Sequence, residues 1–163
     1  MHILINNKKL IYNNYRIKCA VGKRGIGVKK KEGDFITPKG LYKINYILYR
    51  KDKIKILQTK KKKIAISPKM IWCDDPASKH YNKLVKFPIN SKFERLFRKD
   101  NIYDIIFVLN YNMNPIVKKK GSAIFIHVAK KNYPSTQGCV AIKKKNLIKL
   151  AEQLKKKTKV KII

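Results

Sequence analysis

GSAIFIHVAKKNYPSTQGCVAI, residues 121–142, opens on an almost unbroken apolar run, AIFIHV (123–128). It is too short for an ordinary helix and rich in β-branched and aromatic residues, so it reads as a central strand. YDIIFVL (103–109) has the same character. A third strand-prone stretch is LYKINYILYR (41–50). In YRIKCAV (15–21), strict alternation puts Tyr15, Ile17, Cys19 and Val21 on one face of a strand. The remaining elements fit around these four. Residues 2–6 and 8–12 form a hairpin turning at Asn6–Asn7, and shorter strands at 53–57 and 63–67 flank a lysine-rich turn. A final strand lies within 158–163.

Two stretches carry helical spacing. Phe93, Leu96 and Phe97 recur at three and four within 90–99, and Leu147, Leu150, Ala151 and Leu154 line one face of 146–157, with Asn146 as its N-cap. Eight or so strands against about two short helices predict a mostly-β fold and a single domain over 1–163. The glycines of GKRGIG (22–27) copy part of a dinucleotide-binding spacing, but no helical pattern follows, so they read as a turn. Residues 67–90, with Pro68, Pro76 and Pro88, have the least regular pattern and predict a lid or groove-lining loop.

Charge is lopsided: 41 Lys and Arg oppose 9 Asp and Glu, a formal net charge of +32 over 163 residues. Such a surface attracts any polyanion without selecting one. The lysines are spread along the chain and arginines are few. No zinc-finger, KH or RNP pattern is present, so sequence-specific nucleic-acid binding is not expected. No apolar stretch approaches the length of a membrane span, and the start, MHILINNKKLIYNNY, does not read as a signal peptide. Three cysteines, Cys19, Cys73 and Cys139, give neither a CxxC nor a disulfide ladder.

The chemistry concentrates at the end of the opening stretch. His127 closes an apolar strand, and Cys139 follows Gly138 in a polar segment just before Val140 and Ala141. A nucleophilic cysteine needs an accessible sulfur and a base within reach. His127 supplies the base, Gly138 allows close approach of the backbone, and N–H groups around Thr136–Cys139 suit an oxyanion. On the residues alone, a structural histidine and a buried cysteine stand as the alternative. Cys73, Asp74 and His80 in WCDDPASKHYN (72–82) lack standard metal-ligand spacing. Cys19 belongs to a strand face and the core, and Thr37, Pro38 and Gly40 read as a rigid turn into the next strand.

IHVAKKNYPSTQGCVAI (126–142) resembles the active-site signature of the L,D-transpeptidase catalytic domain family, the YkuD-like proteins. EGDFITPKGLYKI (32–44) resembles the family's acidic-x-x-Thr-Pro segment. WCDDPASKHYN, together with GSAIFIHVA (121–129), is similar to a compact stand-alone subfamily. The resemblance implies a β-sandwich or barrel-like sheet. It implies Cys139 as a thiol nucleophile acting on peptidoglycan tetrapeptide stems, with His127 as its general base and the Gly138 and Cys139 backbone as oxyanion donors. D-Ala would leave, and an amine would resolve the acyl-enzyme into a 3-3 cross-link; water as acceptor would make an L,D-carboxypeptidase. A scaffold kept only to bind polyanions or cell wall is the non-catalytic alternative. Substrate contacts would come from Thr136, His80, Asn82 and Trp72, and no metal or organic cofactor is implied. The chain departs from the pattern at Ala141, where the widespread form has arginine. One of the lysines, or His80, would then have to replace that guanidinium. The expected substrate places the protein in the cell envelope, whereas the absence of a recognisable signal peptide points to the cytoplasm.

Overall fold

The computed structural model describes residues 2–163. Its strands are β1 (Ile3–Asn6), β2 (Lys9–Tyr12), β3 (Tyr15–Lys18), β4 (Ile26–Gly27), β5 (Thr37–Pro38), β6 (Gly40–Tyr49), β7 (Lys63–Ala65), β8 (Met70–Cys73), β9 (Lys83–Lys86), β10 (Phe93–Arg95), β11 (Ile105–Leu109), β12 (Phe125–Val128), β13 (Val140–Ile142) and β14 (Lys159–Ile162). One helix, α1 (Lys144–Gln153), lies between β13 and β14. No helix of the described residues is long and apolar enough to cross a membrane.

The large sheet runs β13-β12-β11-β6-β14-β1-β2-β3, with β7 added beside β6. Its two ends meet. Just beyond β3, Ala20 exchanges both backbone hydrogen bonds with Ala141 of β13, at 2.8 and 2.9 Å. The result is a nearly closed, barrel-like sheet, and closure removes most of the exposed edge that an open sheet would leave.

Side-chain alternation explains why the central strands read as continuous apolar runs. On β11, Ile105, Phe107 and Leu109 enter the barrel interior, while Ile106 and Val108 face a second cluster outside it. A strand covered on both faces has no polar side to show. The outer cluster is roofed by a three-stranded sheet, β10-β8-β9, whose Trp72 packs edge-on against Phe125 with ring centroids 5.0 Å apart. On β12, Ile126 and Val128 point inward and Phe125 outward. His127 therefore shares the outer face with Phe125. On β13, Val140 and Ile142 point inward, which sends Ala141 and the preceding Cys139 outward.

The structure corrects several expectations. Residues 90–99 form no helix: Phe93 pairs with Cys73 in β10, Leu96 enters the outer core, and Phe97 lies under the Arg50 guanidinium. Three destinations have replaced one helical face. Residues 53–57 turn instead of extending, with Lys53 and Ile54 both donating to the Arg50 carbonyl, and the turn buries Ile54 and Leu57. Within the 67–90 stretch β8 and β9 pair with each other, and the residues around them stay irregular. The last helix begins at Lys144, so Asn146 lies inside it, and Lys143 holds the N-cap position without a side-chain capping bond.

Candidate active site

Cys139 and His127 line one cavity of about 430 Å³ on the outer face of the barrel. Local sequence places them there. β12 and β13 run parallel with His127 opposite Ala141, and Cys139 lies two residues before Ala141 on the same face. Cys139 therefore lies diagonally across the strand pair from His127, and both side chains line the same cavity.

The loop before Cys139 is held from both sides. Thr136 donates its N–H to the Val21 carbonyl and accepts from Lys23 N–H, each at 2.9 Å. Gly22 fixes that partner segment. Its N–H donates to the buried Thr37 hydroxyl at 2.8 Å, and a Cβ on it would lie 2.2 Å from the Phe35 carbonyl oxygen. Thr37 is thus more than a turn residue, since it holds the segment that holds the loop before Cys139. Gly138 has a φ of +139°, and a Cβ there would come within 2.9 Å of the Ile36 carbonyl. Glycine is demanded by both conformation and space.

The thiol donates to the Ala123 carbonyl at 3.0 Å and accepts the Phe125 N–H at 3.4 Å. Burial pushes it up to about 12, and the Phe125 N–H pulls weakly the other way. The His127 Nδ1 lies 3.0 Å from the Val128 carbonyl. A carbonyl only accepts, so Nδ1 carries the proton and Nε2 keeps its lone pair. Burial brings the imidazole down to about 4, helped by the positive charge of Lys130 and Arg98 and opposed by the Val128 carbonyl. The pair therefore rests as neutral thiol and neutral imidazole at pH 7. Tyr103 stacks edge-on against His127, with ring centroids 5.5 Å apart.

The other expected site residues divide. Thr136, Gly138 and Ala141 line the cavity. Gly138 N–H, expected as an oxyanion donor, instead donates to Thr136 Oγ1 at 3.1 Å, and the Thr136 hydroxyl donates to the Cys139 carbonyl. The Cys139 N–H has no partner among the described residues. Trp72 is buried (1% exposed) and walls no groove; its indole N–H donates to Asn82 Oδ1 at 3.2 Å. Asn82 is equally buried. Its Oδ1 also accepts from Ala123 N–H at 3.0 Å, and its Nδ2 donates to the Tyr111 and Asn112 carbonyls. It fixes the residue whose carbonyl holds the thiol. His80 lines a different hollow with Asp75 and Ser91. Cys73 is fully buried, Asp74 faces the Cys139 cavity and His80 does not, so these three do not converge.

Sequence reasoning missed Glu94, Tyr103 and the Lys29–Asp34 pair. Lys29 Nζ and Asp34 lie 2.6 Å apart, both side chains almost fully buried, and Lys29 lines the cavity. Burial alone would raise the Asp34 carboxyl, but Lys29 and the N–H groups of Lys30, Ile36 and Lys31 outweigh it and bring it to about 2. The clue lay in the acidic-x-x-Thr-Pro segment, where an aspartate in a lysine-rich chain marks a fixed loop.

A search of curated proteins finds no match to this sequence. A scan against protein families matches the YkuD family, described as the L,D-transpeptidase catalytic domain, over residues 1–162. That span takes in the barrel, the roofing sheet and the cavity that holds Cys139 and His127. On that match the chain belongs to the L,D-transpeptidase catalytic domain family.

Proposed function

We propose that the protein is a cysteine-dependent L,D-transpeptidase acting on peptidoglycan tetrapeptide stems. The observation that carries this reading is one cavity shared by Cys139 and His127, with Nδ1 held on the Val128 carbonyl so that Nε2 is free as a base. For the reaction the thiol leaves the Ala123 carbonyl and passes its proton to Nε2. His127 takes the proton as Sγ attacks the carbonyl that follows the L-centre of the third stem residue. The Cys139 N–H stabilises the oxyanion, joined by the Gly138 N–H once it leaves Thr136. Collapse of the tetrahedral intermediate breaks the C–N bond. His127 returns the proton to the departing D-Ala, and a thioester stays on Cys139. An amine from a second stem then attacks the thioester, passes its proton to His127 and leaves a 3-3 cross-link. Water in its place gives L,D-carboxypeptidase activity.

A basic hollow of about 620 Å³ beside the cavity, lined by Arg16, Lys18, Lys130, Lys131, Lys143 and Lys145, supports non-specific attraction to an anionic polymer alongside this reaction. The test is incubation of the protein with tetrapeptide-stem muropeptides, read by mass spectrometry. We expect D-Ala release, a stem adduct on Cys139 and either cross-linked dimer or tripeptide. Cys139→Ala should abolish all three, and His127→Ala should slow acylation by at least about 100-fold. Folded protein giving neither release nor adduct with several stems would refute the proposal and leave the wall-binding alternative.

A further inference from the structure

The basic hollow beside the cavity does not end at its own rim. A second hollow of about 670 Å³ shares Arg16, Ile17 and Lys18 with it and adds Lys8 and Lys9. At the other end, Lys130 lines both the basic hollow and the cavity of Cys139. The two hollows form a track that starts at the β1–β2 turn, crosses β3, passes residues 129–133 and the start of α1, and adjoins the cavity. Half of the residues lining it are Lys or Arg, against 41 of 163 in the chain, and none is Asp or Glu. All of these cationic side chains are exposed, and none makes an ion pair among the described residues.

Such placement works against the stability of the free protein. Lys9 and Lys18 are direct partners across the antiparallel β2–β3 pair, where like charges repel. Lys143 holds the N-cap position of α1 and Lys145 lies in its first turn, with no acidic residue there to answer the positive end of the helix dipole. An anion lying along the track relieves both repulsions.

The lining also selects among polyanions. A bilayer surface calls for apolar side chains that enter it, and none of the large exposed apolar residues, Phe35, Leu41 and Ile56 among them, lines either hollow. A nucleic acid calls for rings on which bases stack. The one aromatic ring in the lining, Tyr133, already carries the Lys18 ammonium 5.1 Å from its centroid. Apart from Arg16 the cations are lysines, point charges that hold a phosphate without reading its surroundings. The polymer that fits is linear, carries its charge in the backbone and has no bases.

We propose that this track is a docking site for a linear polyol- or sugar-phosphate polymer, laid from the β1–β2 turn to the edge of the Cys139 cavity. Its use in presenting wall-borne stems to the thiol rests on the reading of Cys139 as the reacting group; the binding itself does not.

The test is fluorescence anisotropy of a short, end-labelled poly(glycerol phosphate) with the full-length protein at about 0.15 M sodium chloride. An oligothymidylate of equal charge and phosphatidylglycerol vesicles serve as rival probes. We expect saturable binding of the polyol phosphate. The quadruple variant Arg16→Gln, Lys18→Gln, Lys131→Gln, Lys145→Gln should weaken it at least about ten-fold and flatten the log–log salt slope by about three, as the loss of four phosphate contacts requires. A control variant, Lys55→Gln, Lys60→Gln, Lys62→Gln, Lys156→Gln, removes the same charge outside both hollows and should change affinity by less than about three-fold. Every position in the two variants is exposed, so both should fold. Equal weakening by the two variants assigns the binding to the overall field and overturns the proposal, as does an absence of binding. Tighter binding of oligothymidylate or vesicles, lost in the track variant, overturns the choice of partner. The two readings fail separately. Track-dependent binding by a protein with an inert thiol removes only the transpeptidase reading. D-Ala release by a protein without track-dependent binding removes only the docking site.

Discussion

Cys139 is set up as a resting thiol. With burial pushing the thiol up to about 12 and the imidazole down to about 4, the ion pair is not the ground state. Alkylation of Cys139 by iodoacetamide should therefore be slow at pH 7 and climb about ten-fold per pH unit up to pH 10. A rate already level between pH 6 and 9 would mean a preformed thiolate. The Lys29–Asp34 pair is a second residue-scale device. Asp34→Ala strands a buried ammonium and should lower unfolding free energy by about 3–5 kcal/mol in a denaturant titration. The sign of its pH dependence follows from the depressed carboxyl. Its contribution is present above the unfolded carboxyl value near 4 and is lost as pH falls toward 2. The candidate pair, Cys139 and His127, was legible because a histidine ends an apolar strand and a cysteine follows glycine in polar sequence. The carboxylates that line the cavity were not legible, because Glu32, Asp74 and Glu94 come from three separate segments that only packing unites.

Among the elements, the bracket between the roofing sheet and the segment before β12 is the one to break. Asn82 sits at a φ of +56°, a backbone region asparagine tolerates better than alanine, and its carboxamide joins Trp72, Ala123 and the 111–112 backbone. Asn82→Ala leaves several buried polar groups unpaired and should cost about 3 kcal/mol in thermal or chemical unfolding. It should also speed alkylation of Cys139, since Ala123 no longer holds the thiol in place; an unchanged rate would disconnect the bracket from the site. The strands at 15–18, 40–49, 105–109 and 125–128 were readable because covered or half-covered sheet faces leave a period-two or continuous apolar record. Residues 93–97 misled for a physical reason. Spacings of three and four serve a helix face, but a short strand running into turns can distribute the same residues to separate partners.

Across the whole molecule, self-repulsion dominates. A net charge of +32 carried largely on exposed lysines opposes compaction, and dissolved ions screen it. The melting temperature should rise by several degrees between about 0.02 and 0.5 M sodium chloride; a flat or falling profile would show that these lysines do not strain the fold. Composition announced that field, but not its texture, in which the cavity of Cys139 mixes Glu32, Asp74 and Glu94 with Lys29, Arg98 and Lys130 beside a hollow whose charged residues are all basic.

The contact between Ala20 and Ala141, with Thr136 joined to Val21 and Lys23 next to it, makes the thiol's surroundings depend on stretches separated by more than a hundred positions. Contacts of such long range form late on a folding chain. Chemical competence at Cys139 should accordingly be among the last properties to emerge during synthesis or refolding, so the time course of its protection from a thiol reagent doubles as a clock for completion of the tertiary structure.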